Sequence, residues 1–215
     1  MNWIVKSRER FINDWYSIDG KTFFIVLCLL YFVAYFIKGS FIVDGIAAFE
    51  VLQERGEMWV MDIFFGLQYF SVPLFLAWKF TLTAFILWVG CFLFGYRVTY
   101  AELWKMVMIM DLVFIIPELL KVIWFMFFET DPNYHDYIAY YPASLMNFFD
   151  YESLQQKYHY PLKAFNLFEI IYWGLLICGV YWLSNKKLKM SAIIVSCSYI
   201  LFFLIWLGYF IIIHD

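Results

Sequence analysis

Four ionisable residues lie inside apolar stretches of the sequence, where a charge is unfavourable. Asp111, Glu118 and Lys121 fall within one stretch, and Glu169 falls within another. A charged side chain near the middle of a bilayer costs about 2.5–3.5 kcal/mol on insertion scales, so such residues usually pair or face a cavity. Asp111 and Glu118 are seven residues apart and share one helix face. These residues therefore predict an intramembrane charge network.

Two interpretations of this network stay open. The charges could relay protons or ions through the membrane, or they could lock helices together as structural pairs. Glu118 and Lys121 are three residues apart and can touch on a helix, and Glu169 is expected at a similar depth. We therefore expect Lys121 to lie between Glu118 and Glu169. Pro117 removes a helix hydrogen bond, so it predicts a helix kink beside Glu118.

The composition shows what kind of protein must carry these charges. Of the 215 residues, 65% are hydrophobic and 15% are charged, whereas a soluble domain carries about 25% charged residues. A water-soluble fold cannot hide this much apolar surface, so we predict an all-α, polytopic transmembrane helical bundle. The net charge of −3 is too small to favour nucleic acid as a partner. The expected partners are membrane lipids and other membrane-protein subunits.

The sequence contains no recognisable catalytic or cofactor-binding pattern. The four cysteines lie singly in apolar runs, which favours buried thiols over disulfides or metal ligands. Asp131, His135, Asp136 and His159 lack any known metal-ligand spacing. We therefore expect no metal and no cofactor, and we do not expect an enzyme.

Hydropathy divides the chain into two parts. Residues 1–21 mix basic and apolar side chains at the spacing of an amphipathic helix on the cytoplasmic membrane surface. Residues 22–213 are predicted to form a single transmembrane domain with outer loops at 38–78 and 129–163. The predicted spans within this domain cover residues 22–37, 80–96, 99–128, 164–184 and 190–213.

The apolar run from Trp59 to Tyr96 leaves the number of spans open. It is too long for one helix across a core of about 30 Å, and it contains no polar loop. It could form two spans with a turn near Lys79, giving six spans, or residues 59–78 could lie in the interface or re-enter. Five spans place most lysines and arginines in short loops on one side. This arrangement predicts a cytoplasmic N-terminus and an outer C-terminus in a bacterial inner membrane.

The second outer loop is rich in tyrosine, which suits contacts that are partly apolar and partly wet. We predict a partner surface formed by Tyr134, Tyr137, Tyr140, Tyr141, Tyr151, Tyr158 and Tyr160. A second protein or lipid headgroups packed on these rings would explain their density.

A short turn precedes the helix that carries three of the charges. Its sequence, FGYRVTY over residues 94–100, places Thr99 and Glu102 at the spacing of a capping box. The new helix contains Pro117 and is expected to run to about Phe128. Later, Leu-Phe at 167–168 opens another apolar stretch, which a short basic turn separates from the last one.

This order of parts resembles the Yip family of five-span membrane proteins. In that family a Gly-basic-x-Thr/Ser-aromatic turn precedes a proline-containing third span, and Leu-Phe opens the fourth. The resemblance covers about residues 22–213, although Gly95 stands alone where the family often has two glycines. It implies a five-helix bundle with a cytoplasmic N-terminus. In eukaryotic relatives it implies roles in membrane trafficking through partner binding.

Three functions remain to be distinguished. The preferred one is a non-enzymatic integral membrane subunit or scaffold of a larger complex, concerned with protein transport or membrane organisation. The alternative is a small-solute or ion transporter built around Glu118, Lys121 and Glu169, which would need a water-filled path to Glu118. The third is a membrane-embedded enzyme acting on lipid, which would need a histidine or a pair of carboxylates in one pocket.

Overall fold

The computed structural model describes four stretches of the chain, namely residues 19–39, 58–128, 134–184 and 187–214. Within them the secondary structure is helical, apart from an isolated antiparallel bridge between Ser144 and Asn166. The all-α prediction is therefore confirmed for this part of the chain. The amphipathic segment predicted over 1–21 lies almost wholly outside the described residues, as do residues 40–57 of the first outer loop.

Nine α-helices follow one another along the described chain. They are α1 (Gly20–Lys38), α2 (Met58–Leu93), α3 (Tyr100–Met110), α4 (Ile115–Phe127), α5 (Tyr134–Ala139), α6 (Gln156–Ala164), α7 (Leu167–Ser184), α8 (Leu188–Val195) and α9 (Leu201–Ile213). A 3-10 turn at Asp111–Phe114 joins α3 to α4, and a second at Leu145–Phe148 lies between α5 and α6. A π-helical turn at Ser196–Ile200 joins α8 to α9.

Four helical segments are long and apolar enough to cross a bilayer. They are Gly20–Lys38, Gly66–Leu93 within α2, Leu167–Ser184 and the continuous run Leu188–Ile213. In the most apolar part of each segment, only 22% to 33% of the residues are buried by the rest of the chain. The outward-facing remainder requires an apolar environment. The prediction of a membrane protein with transmembrane helices is confirmed to this extent.

Helix α2 differs from what was expected of the long apolar run. It is one continuous helix of 36 residues. At about 1.5 Å per residue it is about 54 Å long, which exceeds a bilayer core of about 30 Å. The turn near Lys79 that six spans would require is absent, because residues 59–78 belong to the same continuous helix as residues 79–93. Lysine is a good helix former and does not end α2, and the Lys79 ammonium is neutralised by the carboxylate of Asp111.

The long helix predicted from Thr99 is present but interrupted. The Thr99 hydroxyl accepts from the Glu102 amide at 3.3 Å, and the Glu102 carboxylate accepts from the Thr99 amide at 2.9 Å, which confirms the capping box. The 3-10 turn at Asp111–Phe114 then breaks the α-helical ladder just before Pro117. Pro117 cannot donate to the carbonyl four residues earlier, which lies in that turn, so the irregularity has a local cause.

The core lies where α2, α3 and the α7–α8 hairpin meet, and α1 packs against α2 and α4. Two glycines permit close approach between these elements. A Cβ atom on Gly90 of α2 would lie 2.8 Å from Ser198 Cβ in the π-helical turn, and one on Gly179 of α7 would overlap Met106 Sδ of α3. The corresponding space beside Gly174 is open.

Gly90→Ala should destabilise the protein, because the added methyl group overlaps the Cβ atom of Ser198, which cannot move without its backbone. Overpacking of this kind usually costs about 1–3 kcal/mol. Gly174→Ala is the matched control, since its site is open and alanine is favoured over glycine in helices by about 1 kcal/mol. Melting temperatures in a mild detergent are the measurement. Equal values for the two variants would contradict the close packing of α2 on the π-helical turn.

Candidate functional site

The side chain of Asp111, in the 3-10 turn between α3 and α4, is completely buried. Lys79 on α2 places its ammonium nitrogen 2.6 Å from Asp111 Oδ1, off the direction of a hydrogen bond. The hydroxyl of Tyr31 on α1 donates to Oδ2 at 2.9 Å. The same ammonium lies 4.0 Å from the ring centroid of Phe114. One carboxylate therefore joins three separate segments of the chain.

A second ion pair joins the end of α1 to the start of α4. Lys38 Nζ donates to Glu118 Oε2 at 2.9 Å, and the two side chains are 16% and 18% exposed. Lys38 is the last residue of α1, and Glu118 lies in the first turn of α4. Each charge is opposite in sign to the partial charge at its own helix end, so the helix dipoles stabilise both charged side chains where they pair.

A cavity of about 380 Å³ lies between these helices, and we call it the charged cleft. Its wall is formed by Tyr31, Tyr35, Gln68, Ser71, Lys79, Glu118 and Tyr141 on the polar side, and by Val72, Phe75, Leu76 and Phe114 on the apolar side. Among the described residues, the wall thus offers one ammonium, from Lys79, and one carboxylate, from Glu118. Asp111 is buried outside the wall and supports Lys79.

Tyr141 brings a further polar group to the charged cleft from the loop that follows α5. Burial raises the pKa of its hydroxyl, and the Glu118 and Glu169 carboxylates reinforce the effect. The hydroxyl therefore stays protonated at neutral pH and can donate a hydrogen bond towards the cleft.

The charge network predicted from the sequence omitted the two lysines that pair with its carboxylates, Lys38 and Lys79. A usable signal was present in the spacing of the polar residues. Tyr31, Tyr35 and Lys38 are separated by four and three residues on α1, and Ser71 and Lys79 are eight apart on α2. Each spacing keeps its residues on one helix face, so each helix carries a polar stripe.

The expected position of Lys121 between Glu118 and Glu169 is wrong. Its ammonium donates to the backbone carbonyl of Tyr137 at 2.6 Å and lies 4.2 Å from the ring centroid of that residue. Glu118 pairs with Lys38 instead. Helix packing explains the difference. Helix α4, which carries Lys121, packs against α1, whereas α7, which carries Glu169, packs against α3 and the 3-10 turn.

Glu169 lies in a separate polar contact between α7 and the last helical run. Its Oε1 atom accepts hydrogen bonds from Trp173 Nε1 at 2.9 Å and from the Tyr199 hydroxyl at 3.0 Å. Tyr199 belongs to the π-helical turn, a distortion often found where a helix presents a particular side chain. The structure therefore brings Glu118 to the wall of the cleft and Asp111 directly behind it, and Lys121 and Glu169 do not line the wall.

The tyrosines of the second outer loop are distributed over several contacts. Tyr137 packs on Phe125 of α4 with ring centroids 5.8 Å apart, and Tyr140 stacks on Trp124 at 5.1 Å. Tyr141 contributes to the charged cleft. Three of the predicted partner-surface residues are therefore engaged in contacts within the chain.

The remaining tyrosines of this loop lie near α6. Tyr151 packs on the His159 ring with centroids 4.0 Å apart, and Tyr160 packs on an aromatic ring of α9 at 4.7 Å. Tyr158 and Tyr160 are partly exposed. The side chain of Tyr134 lies outside the described part of the chain.

Lys163 anchors α6 to the segment that contains α5. Its ammonium donates to the Ile138 carbonyl and lies 5.0 Å from the ring centroid of Tyr151. Burial lowers the pKa of Lys163. Lys121 and Lys163 thus both hold the second outer loop through backbone carbonyls.

In the ranges that the structure describes, no group of three or more His, Cys, Asp and Glu residues could hold a metal ion. Asp131 and the side chain of His135 lie outside those ranges. The described wall of the charged cleft contains neither histidine nor cysteine. The arrangement is therefore suited to binding by charge and hydrogen bonding.

The described residues together define a helical protein that has four helices long and apolar enough to span a membrane and a charged cleft between helices. Comparison of the chain with protein-family models, with curated proteins and with solved structures finds no match.

A double-mutant cycle should detect coupling between Lys79 and Asp111. Lys79→Met leaves a buried carboxylate without its cation, and removing one partner of such a pair typically costs about 3–5 kcal/mol. The double variant Lys79→Met with Asp111→Asn should lose less stability than the sum of the single variants. Lys121→Met combined with Asp111→Asn is the control and should be additive, since Lys121 bonds the Tyr137 carbonyl.

Unfolding in detergent, followed by circular dichroism, provides these stabilities. Additive losses for the Lys79 and Asp111 pair would show that the two groups do not interact in the membrane protein.

Proposed function

We propose that the protein is a non-enzymatic membrane carrier that binds a small polar solute in the charged cleft. The observation that carries this proposal is the cavity itself, about 380 Å³ of space between apolar helices with an ammonium and a carboxylate in its wall. Ligand sites usually combine apolar walls with a few well-placed polar groups. Ionisable side chains inside membranes also commonly mark the pathways of solutes and ions.

A comparison within the chain supports a binding role for the cleft. Glu169 is 6% exposed and is contacted by two neutral donors, an arrangement sufficient to hold two helices together. Lys79 keeps 27% of its side chain exposed and Glu118 keeps 18%, although each has an ion-pair partner. An ion pair that only holds helices together needs no open space beside it. The exposed parts of Lys79 and Glu118 face the cavity, where a solute can contact them.

The proposal includes a five-span topology. Helix α3, the 3-10 turn and α4 would together form one span beside the four uninterrupted ones. Carriers often bind their solutes beside discontinuous spans, and the turn that carries Asp111 is such a discontinuity. The distribution of lysine and arginine favours a cytoplasmic N-terminus, an outer C-terminus and a bacterial inner membrane.

A second candidate function is that of a subunit or scaffold in a larger membrane complex. The Yip resemblance would link such a role to protein transport or membrane organisation. The observation in its favour is a pair of apolar rings between α5 and α6, where Phe148 is 82% exposed and Phe149 is 52% exposed. Exposed rings outside the apolar helices suit contact with another subunit or with lipid headgroups. This role requires no solute in the cleft.

Thiol labelling from each side of the membrane distinguishes the two functions. Ser71→Cys, in a background with the four free cysteines replaced by alanine, places a thiol in the cleft wall. A carrier exposes its site to both faces in turn, so a membrane-impermeant methanethiosulfonate should react in both right-side-out and inverted vesicles. Ala84→Cys, on the same helix but completely buried, is the control and should stay unlabelled.

Labelling of Ser71→Cys from neither face would show that the cleft is closed to water. Labelling from one face only would contradict the carrier and leave the subunit role.

A further inference from the structure

The two charges in the wall of the cleft are of opposite sign, and each is supported from outside the wall. Asp111 holds the Lys79 ammonium at 2.6 Å, and Lys38 holds Glu118 Oε2 at 2.9 Å. An ammonium has three donors, so Lys79 can serve Asp111 and a ligand together. Glu118 Oε1 receives no hydrogen bond from any described residue and can accept one from a ligand.

We infer that the solute is a zwitterion, an α-amino acid whose carboxylate binds Lys79 and whose ammonium binds Glu118. This inference rests on the proposed carrier function and specifies its substrate class. The four charged groups of the two ion pairs sum to zero. A ligand with a net charge would leave that charge uncompensated among apolar helices, whereas a zwitterion would not.

The positions of the two wall charges fit this class of ligand. Lys79 on α2 and Glu118 on α4 face one cavity from two different helices. A molecule with both an ammonium and a carboxylate can form a charge-assisted hydrogen bond of about 2.8 Å with each of them, whereas a singly charged molecule can form only one such bond.

The apolar part of the cleft wall indicates which kind of side chain the bound amino acid carries. Val72, Phe75 and Leu76 face the cavity beside the polar groups, and a space of about 380 Å³ exceeds the needs of the charged groups alone. Aliphatic or aromatic side chains would bury apolar surface against these residues. We therefore expect apolar amino acids to bind in preference to acidic or basic ones.

Thermal shift and calorimetric titration of the purified full chain in detergent would test the inference. The probes are the twenty protein amino acids, together with isoamylamine and 4-methylpentanoate, which are leucine without its carboxylate and without its amine. At least one apolar amino acid should raise the melting temperature and bind at least tenfold more tightly than the two singly charged analogues. Removing either charge from the ligand deletes one of its two ionic contacts.

Three variants of the protein complete the experiment. Glu118→Gln should weaken amino-acid binding at least tenfold, because it removes the anion while keeping the volume and an acceptor for Lys38. Ser71→Trp fills the cleft from an exposed position, so it should abolish binding without unfolding the protein. Lys189→Met is the control and should bind like the unaltered protein, because this lysine is exposed in the first turn of α8 and does not line the cleft.

Two results would overturn the inference. One is that no amino acid binds, and the other is that a singly charged analogue binds as tightly as the best amino acid. If Ser71→Cys is nonetheless labelled from both membrane faces, only the substrate class is wrong and the carrier function stands. If Ser71→Cys is not labelled at all, the carrier function fails as well.

Discussion

A carboxylate with no exposed surface, placed among apolar helices, is the constraint on which the rest of this structure depends. Without a partner, an ionised Asp111 would be strongly unfavourable, and the chain supplies two partners from distant parts of the sequence. Lys79 must therefore stay within an unbroken α2, and Tyr31 must bring α1 to the same place. The 3-10 turn that carries Asp111 leads directly into α4, which brings Glu118 to the wall of the cleft.

The chain compensates its buried charges in three different ways. Asp111 and Glu118 use lysine partners from other helices, Lys121 uses a backbone carbonyl, and Glu169 uses the neutral donors of Trp173 and Tyr199. The first arrangement lies beside a cavity whose wall includes Lys79 and Glu118. Lys121 and Glu169 thus connect parts of the chain, whereas Lys79 and Glu118 can in addition contact a ligand.

Local features of the sequence predicted much of the fold. The capping box at Thr99 and Glu102, the apolar helices α1 and α7, and the break before the last helical run follow from neighbouring residues alone. The partner of a charge does not, because it depends on which helices are neighbours. A turn near Lys79 therefore stayed open as an alternative, whereas this lysine lies inside α2 and pairs with Asp111.

The same limit explains the errors in the charge network. The spacing placed Glu118 and Lys121 within reach of one another on α4. Because α1 packs against α4, however, Glu118 forms its ion pair with Lys38. Depth alone made Lys121 and Glu169 plausible partners, although their helices pack against different elements. Polar stripes on α1 and α2 were visible in the sequence and would have identified both missing lysines.

Charges on different helices pair beside the cleft, and a charge swap at Lys38 and Glu118 tests this pairing most directly. Lys38→Glu and Glu118→Lys should each lower the melting temperature in detergent, because each places two like charges about 3 Å apart. The double swap should recover most of the loss. Recovery should be incomplete, since each swapped charge then has the same sign as the partial charge at its helix end, which costs about 0.3–1 kcal/mol. A double swap as unstable as the sum of the two single variants would contradict the pairing of α1 with α4.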